Sequence, residues 1–280
     1  MKIKNPFLRC LVPPVLFLVM QAIVGLFAAI AVIIMRFISS HTDGDILSMD
    51  TSFTPTMLAW VLILSGALTC LVLWRWRLIR LPEAFTCRGN RLALLCLAVF
   101  AAIVGIVATD LMSEQLALPN LFGEQMKEMA YNFWGILAIA LIGPIIEEVT
   151  FREGVQGILL RAGKKPWVAA VFSALCFGII HGNPAQIPFA FLVGIILAVI
   201  YDRTRNIVTT SLIHILNNSI AVVEIHMLGD NVDDFRYDQF LGLDTWMVWL
   251  LIAVLAIGCA ALLRAFYVSH PSHISYSSND

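Results

Sequence analysis

Residues 132–160 read NFWGILAIALIGPIIEEVTFREGVQGILL. A membrane-crossing helix needs roughly 20 mostly apolar residues, and this stretch is long enough. It also carries Glu147, Glu148, Arg152 and Glu153 inside the run. A charged side chain within a span costs about 2.5–3.5 kcal/mol on insertion scales, so it marks a functional site by default. Glu148 and Arg152 are four residues apart and share one helix face in the favourable acid-before-base order. Glu147 points about 100° away on the wheel. Arg152 can thus neutralise Glu148 while Glu147 faces another neighbour. Neighbouring carboxylates and burial both favour the protonated form, which suits a general base. Pro144 frees the carbonyl of Ala140 and kinks the helix. The plainer alternative is a charged cluster at a helix end. Arg161, nine residues beyond Arg152, weakens it.

Working outward, the 280-residue chain is 60% apolar and only 13% charged, with mean hydropathy +0.86. Soluble domains are about 45–50% apolar and about 25% charged. The reading is an all-α, polytopic membrane protein with about eight transmembrane helices. They fall at about 11–35, 56–74, 92–112, 132–160, 166–181, 186–201, 206–228 and 245–267. The first run is too long for the apolar core of a signal peptide, which suggests an uncleaved first span. With both termini cytoplasmic, fourteen Lys and Arg lie on inner segments against three (Arg36, Lys127 and Arg236) on outer ones. That matches the positive-inside rule. The outer loops are acidic, with Asp43, Asp45, Asp50 and Asp233 among their residues. Net charge is -1, which implies no nucleic-acid partner. The partner expected from composition is the lipid bilayer. The chain divides into three N-terminal spans (1–131), a polar-bearing core (132–228), and an outer loop, last span and short tail (229–280). Six scattered cysteines form no CxxC pair and read as small packing residues.

Two further spans carry polar groups. The fifth ends in SALCFGIIHGNP, where Phe177 precedes His181 by four residues. Gly178 and Gly182 form GxxxG, which allows close helix approach. The seventh contains His214 and Asn218 on one face, with Asn217 beside them. Either set alone reads equally well as glue between helices. Counting from the inner span ends at about 1.5 Å per residue, Glu147, His181 and Asn218 share one level, with His214 a turn or two lower. Glu224 and His226 sit near the outer interface.

A carboxylate, two imidazoles and an amide inside a membrane suggest water activation. Glu147 can take a proton from water, His181 can orient it, and His214 and Asn218 can donate to an oxyanion. Glu147, His181 and His214 are also acceptable ligands for a divalent metal such as zinc. There is no HExxH, so spacing alone gives the metal little support.

At these residues the sequence resembles the CAAX prenyl protease and bacteriocin-processing (CPBP, or Abi) intramembrane proteases. That family's pattern is EExxxR, FxxxH and HxxxN on successive membrane helices. Here it is Glu147-Glu148 with Arg152, Phe177 with His181, and His214 with Asn218. Asn206, upstream of His214, also fits. Glu153 departs from the pattern, where many members have glycine after the motif's arginine. The resemblance implies an all-helical intramembrane endopeptidase in which Glu147 and His181 activate the water. His214 and Asn218 would complete the site, and Glu148, Arg152 and Phe177 would support it. It leaves open a metalloprotease or a metal-independent glutamate mechanism. The plain loops and the strong positive-inside bias point to a bacterial plasma membrane, where prenylated substrates are not expected. Two other readings use the same residues. A non-proteolytic scaffold or regulator, of the bacteriocin-immunity or lysostaphin-resistance-like kind, keeps the motifs without cleavage. A proton-coupled transporter uses buried carboxylates as a relay, but such proteins often show repeats in both halves, and the polar residues here crowd one half.

Overall fold

The structure, a computed structural model, describes residues 3–40, 53–81, 92–232 and 234–269. Asp43, Asp45, Asp50 and Asp233 of the outer segments, several inner basic residues and Cys87 lie outside the described residues. Every regular element among the described residues is helical. In chain order they are α1 (Pro6–Cys10), α2 (Val12–Ser40), α3 (Pro55–Arg75), α4 (Leu92–Leu116), α5 (Gly123–Ala130), α6 (Phe133–Arg161), α7 (Pro166–Ile180), α8 (Gln186–Thr204), α9 (Ile207–Leu228), α10 (Tyr237–Phe240) and α11 (Thr245–Ser269).

Seven of these are long and apolar enough to cross a membrane: α2, α3, α4, α6, α8, α9 and α11. The chain is a polytopic all-α membrane protein. The eighth expected span, 166–181, is a helix of 15 residues. At about 1.5 Å per residue it is about 22 Å long, short of a hydrocarbon core about 30 Å thick. The helices present large apolar side chains outward, such as Phe27, Trp246 and Ile257. In water this would be a liability; in lipid it is the expected surface.

Side-chain caps start the helices that carry the site. Asn132 Oδ1 accepts from Gly135 N at 3.0 Å, opening α6, and its Nδ2 donates to Thr56 Oγ1 at 2.9 Å, tying α6 to α3. Asn206 Oδ1 accepts from Val208 N at 2.7 Å and opens α9. Each cap satisfies an end amide that the helix cannot.

α6 is the centre of the fold. Val149, Phe151, Val155, Ile158, Leu159 and Leu160 are buried against α3, α7 and α8. A second cluster joins α4, α8 and α11 through Ala98, Ala102, Leu197, Ile200 and Cys259. α7 packs tightly on α8. Gly178 makes this possible, since a Cβ there would sit 2.8 Å from the Ile187 carbonyl. Gly182 does not share that role. It has φ +61° with nothing near its missing side chain, so it ends the helix as a left-handed turn. The GxxxG reading therefore holds for one glycine of the two.

Candidate active site

Two stretches of α6, Leu137–Ile142 and Val149–Gln156, are π-helical and flank the six-residue α-helical turn that bears both glutamates. Such segments widen a helix locally and recur at functional sites. Pro144 explains part of the first. Gly143 N bonds to the Ala138 carbonyl, five residues back. In that register the partner of the Ile139 carbonyl is the N–H of residue 144, which proline lacks. The carbonyl left over is therefore Ile139, not Ala140. Asn218 Nδ2 donates to it at 2.8 Å from α9.

The Glu148–Arg152 pair forms as the four-residue spacing predicts. Arg152 Nε donates to Glu148 Oε2 at 2.9 Å, and both side chains are fully buried. Arg152 Nη1 reaches Ser173 Oγ at 3.4 Å, and its guanidinium lies 5.1 Å from the Phe177 ring centre. The other carboxylate oxygen, Glu148 Oε1, lies 3.2 Å from His214 Nδ1. A carboxylate facing an arginine accepts, so His214 donates from Nδ1. The opposite ring nitrogen, Nε2, is then turned toward Glu147 Oε2 at 3.6 Å. His214 thus bridges the two neighbouring glutamates. It stands at the level of Glu147, not a turn or two lower as depth counting from span ends suggested. Residues per span end measure depth only where helices share one rise, and α6 does not.

His181 closes the site from α7. Its Nδ1 meets the Phe177 carbonyl at 2.7 Å. A carbonyl can only accept, so Nδ1 holds the proton and Nε2 of the neutral ring is an acceptor. The Phe177 ring contacts both imidazoles edge-on, at 5.0 Å from His181 and 5.5 Å from His214. Asn183, just beyond, is buried and pins the turn to the 117–121 segment through Asn120 and Leu121.

Glu147, His181, His214 and Asn218 all line one cavity of about 290 Å³. Its walls are otherwise mainly apolar, with Ala138, Ile139, Ile146, Phe177, Val193 and Val222 among them. An apolar cavity with a few convergent polar groups is the usual form of a binding site. Three polar residues with no assigned role line it too: Gln21, Gln186 and Asn217. Gln21 had a visible signal, being the lone amide in an apolar run.

Among the described residues no three His, Cys, Asp or Glu side chains are grouped to hold a metal ion. Glu147 and His214 approach each other, and His181, whose Nδ1 is held by the Phe177 carbonyl, keeps Nε2 free as a donor to a metal. Glu147, His181 and His214 are the residues that would hold a divalent ion, supplying two imidazole nitrogens and a carboxylate.

Other polar clusters hold the frame. Glu153, buried next to Arg152, accepts from Tyr201 Oη, Arg161 Nη1 and, at 3.1 Å, Arg80 N. Arg161 also donates to the Leu78 carbonyl at 2.9 Å. The departure from glycine at 153 therefore builds a strut between α6, α8 and the segment after α3. At the opposite end, Tyr237 Oη donates to Glu224. Hydrogen bonds from Arg236 and Gln115 hold the Asp238 carboxyl well below the usual carboxylate range.

With this arrangement in view, the comparisons with known proteins are specific. Residues 129–220 match the family model for Type II CAAX prenyl endopeptidase Rce1-like proteins. The resemblance drawn from the three motifs holds at that level. Every motif residue lies inside the matched segment. Over 148 residues, 51% of this chain, the sequence is 27% identical to the Membrane-embedded CAAX protease MroQ of Staphylococcus aureus (strain USA300). Over 88 residues, 31% of this chain, it is 28% identical to the Putative membrane peptidase YdiL of Bacillus subtilis (strain 168). The matches span 59% and 36% of those two relatives. No solved structure matches the chain. The likeness is therefore to membrane peptidases as a family, and the chain is a multi-pass membrane protein.

Proposed function

We propose that this protein is an intramembrane endopeptidase that hydrolyses a peptide bond in a membrane-associated protein or peptide. The observation that carries the reading is one cavity lined by Glu147, His181, His214 and Asn218, with Glu148–Arg152 buried behind it. Glu147 is the general base. It takes a proton from a water that His181 Nε2 orients, and the hydroxide attacks the scissile carbonyl. The oxyanion forms opposite His214. To donate from Nε2 while Nδ1–H bonds to Glu148, His214 acts as an imidazolium. Two carboxylates, Arg152 and a charged His214 sum to zero, so the buried set is balanced. Asn218 uses one N–H on Ile139 and offers the other to the oxyanion. Glu147, now protonated, passes the proton to the leaving amine. Glu148 and Arg152 act through His214 by fixing its ring, and Phe177 braces both imidazoles. The donor geometry favours this metal-independent glutamate route over a zinc route. We place both termini on the cytoplasmic side of a bacterial plasma membrane, from the asymmetry of Lys and Arg between loops. The segment 132–228 is the catalytic core.

The test is terminal-peptide proteomics on membranes from cells carrying the wild type, Glu147→Gln, or a deletion. New termini present with the wild type and equally lost in the other two support the peptidase. Termini and phenotype unchanged in Glu147→Gln reject it in favour of a scaffold.

A further inference from the structure

The N-terminal helix α2 lies outside the matched segment, yet it forms part of the cavity wall. Phe17 and Gln21 both line it. They are four residues apart and share one helix face. Pro13, a turn earlier on that face, rests against Gly154 of α6. A Cβ at Gly154 would stand 3.0 Å from Pro13 Cβ. The bare glycine thus lets α2 seat closely on the helix that carries Glu147.

Gln21 is the only polar residue between Val12 and Met35. A carboxamide in a membrane span is costly unless it finds a partner. The Gln21 side chain makes no hydrogen bond among the described residues. The side chain of Gln186, the first residue of α8 and adjacent to the His181 turn, likewise makes none, its backbone N–H alone being bonded to the Asn183 carbonyl at 2.9 Å. Two unengaged amides therefore look into an apolar cavity that also holds the proposed base. Each offers two donors and an acceptor and no charge. That is the complement of a neutral peptide group. A substrate chain entering an apolar cavity within a membrane must have its own N–H and C=O groups satisfied there.

We propose that Gln21, together with Gln186, binds the main chain of the substrate peptide beside the scissile bond. α2 is then a substrate-positioning element. This rests on the peptidase reading above. Neither residue takes part in proton transfer; both fix the register in which the scissile carbonyl meets the Glu147 water.

The test uses purified wild type, Gln21→Leu, Gln186→Leu and Glu147→Gln in lipid nanodiscs. The probe is a fluorogenic quenched peptide spanning a cleavage site defined by terminal-peptide proteomics. Loss of one hydrogen bond that serves binding raises KM about tenfold and leaves kcat within about twofold. A purely structural glutamine would instead lower the melting temperature and the active fraction without moving KM. Probes with an ester in place of each flanking amide in turn add a second readout. One of them raises KM for the wild type and not for Gln21→Leu. Should Gln21→Leu fail to fold, Gln21→Asn and Gln186→Leu carry the same comparison. Cleavage that depends on Glu147, with KM unchanged in both glutamine variants, overturns this inference alone. Absence of any Glu147-dependent cleavage overturns the peptidase reading and this inference with it.

Discussion

Removing the guanidinium of Arg152 leaves the Glu148 carboxylate buried without its nearest positive charge. Both side chains are wholly shielded, and the Nε–Oε2 distance is 2.9 Å. Breaking such a pair from one side costs about 3–5 kcal/mol, because a lone charge remains in a low-dielectric interior. Arg152→Met should therefore destabilise the protein by about 3–5 kcal/mol. Glu148→Gln should do so by a similar or slightly smaller amount, since Arg152 keeps the Ser173 contact and the Phe177 face. The double variant Glu148→Gln/Arg152→Met removes both charges and should lose far less than the sum. A double-mutant cycle should then show a coupling of about 2–3 kcal/mol. Reversible unfolding in mixed micelles, followed by tryptophan fluorescence, measures all four corners. Single variants that each cost under about 1 kcal/mol, or a cycle that is additive, would refute the claim that this pair holds α6 and His214 together.

Other consequences are quicker to check. Glu147→Gln should lower kcat by at least about 10³-fold with the fold intact, and His181→Gln by about 10²-fold, as read by initial cleavage rates. Incubation with 1,10-phenanthroline should leave the rate within about twofold, because no three-donor metal set forms among the described residues; complete, zinc-reversible loss would instead establish a metalloprotease. Tyr201→Phe deletes a buried hydrogen bond to Glu153 and should cost about 1–2 kcal/mol of stability while leaving kcat unchanged. The Asp238 carboxyl, held low by Arg236 and Gln115, favours the folded state above the ordinary carboxylate range and loses that effect only as pH falls below it. Hydrogen–deuterium exchange of the 234–242 segment, corrected for the intrinsic rate at each pH, should therefore show equal protection at pH 7 and pH 5, and less in Asp238→Asn.

Composition and charge made the membrane fold legible. The number of spans was less so, because α7 has enough apolar character to read as a span but only 15 residues of helix. The ion pair of Glu148 with Arg152 and the contact of Phe177 with His181 follow from residues four apart on one helix, where geometry is local. His214 between the two glutamates did not follow, since the π-helical stretches of α6 change its rise. The same stretches moved the orphan carbonyl from Ala140 to Ile139, and an α-helical register cannot reveal that. Gln21 was visible as a polar residue in an apolar run, but its place at the cavity depends on how Pro13 meets Gly154. Glu153 stood out in sequence as a departure; its partners Tyr201 and Arg161 come from other turns and helices and needed the tertiary fold.

The central claim is hydrolysis driven by Glu147 inside this cavity. Purified protein in liposomes, given the peptide defined by proteomics and assayed by mass spectrometry in H₂¹⁸O, tests it most directly. The account predicts one ¹⁸O in the new C-terminal carboxylate with the wild type and no product with Glu147→Gln. Equal product from both proteins, or none from either, would contradict it.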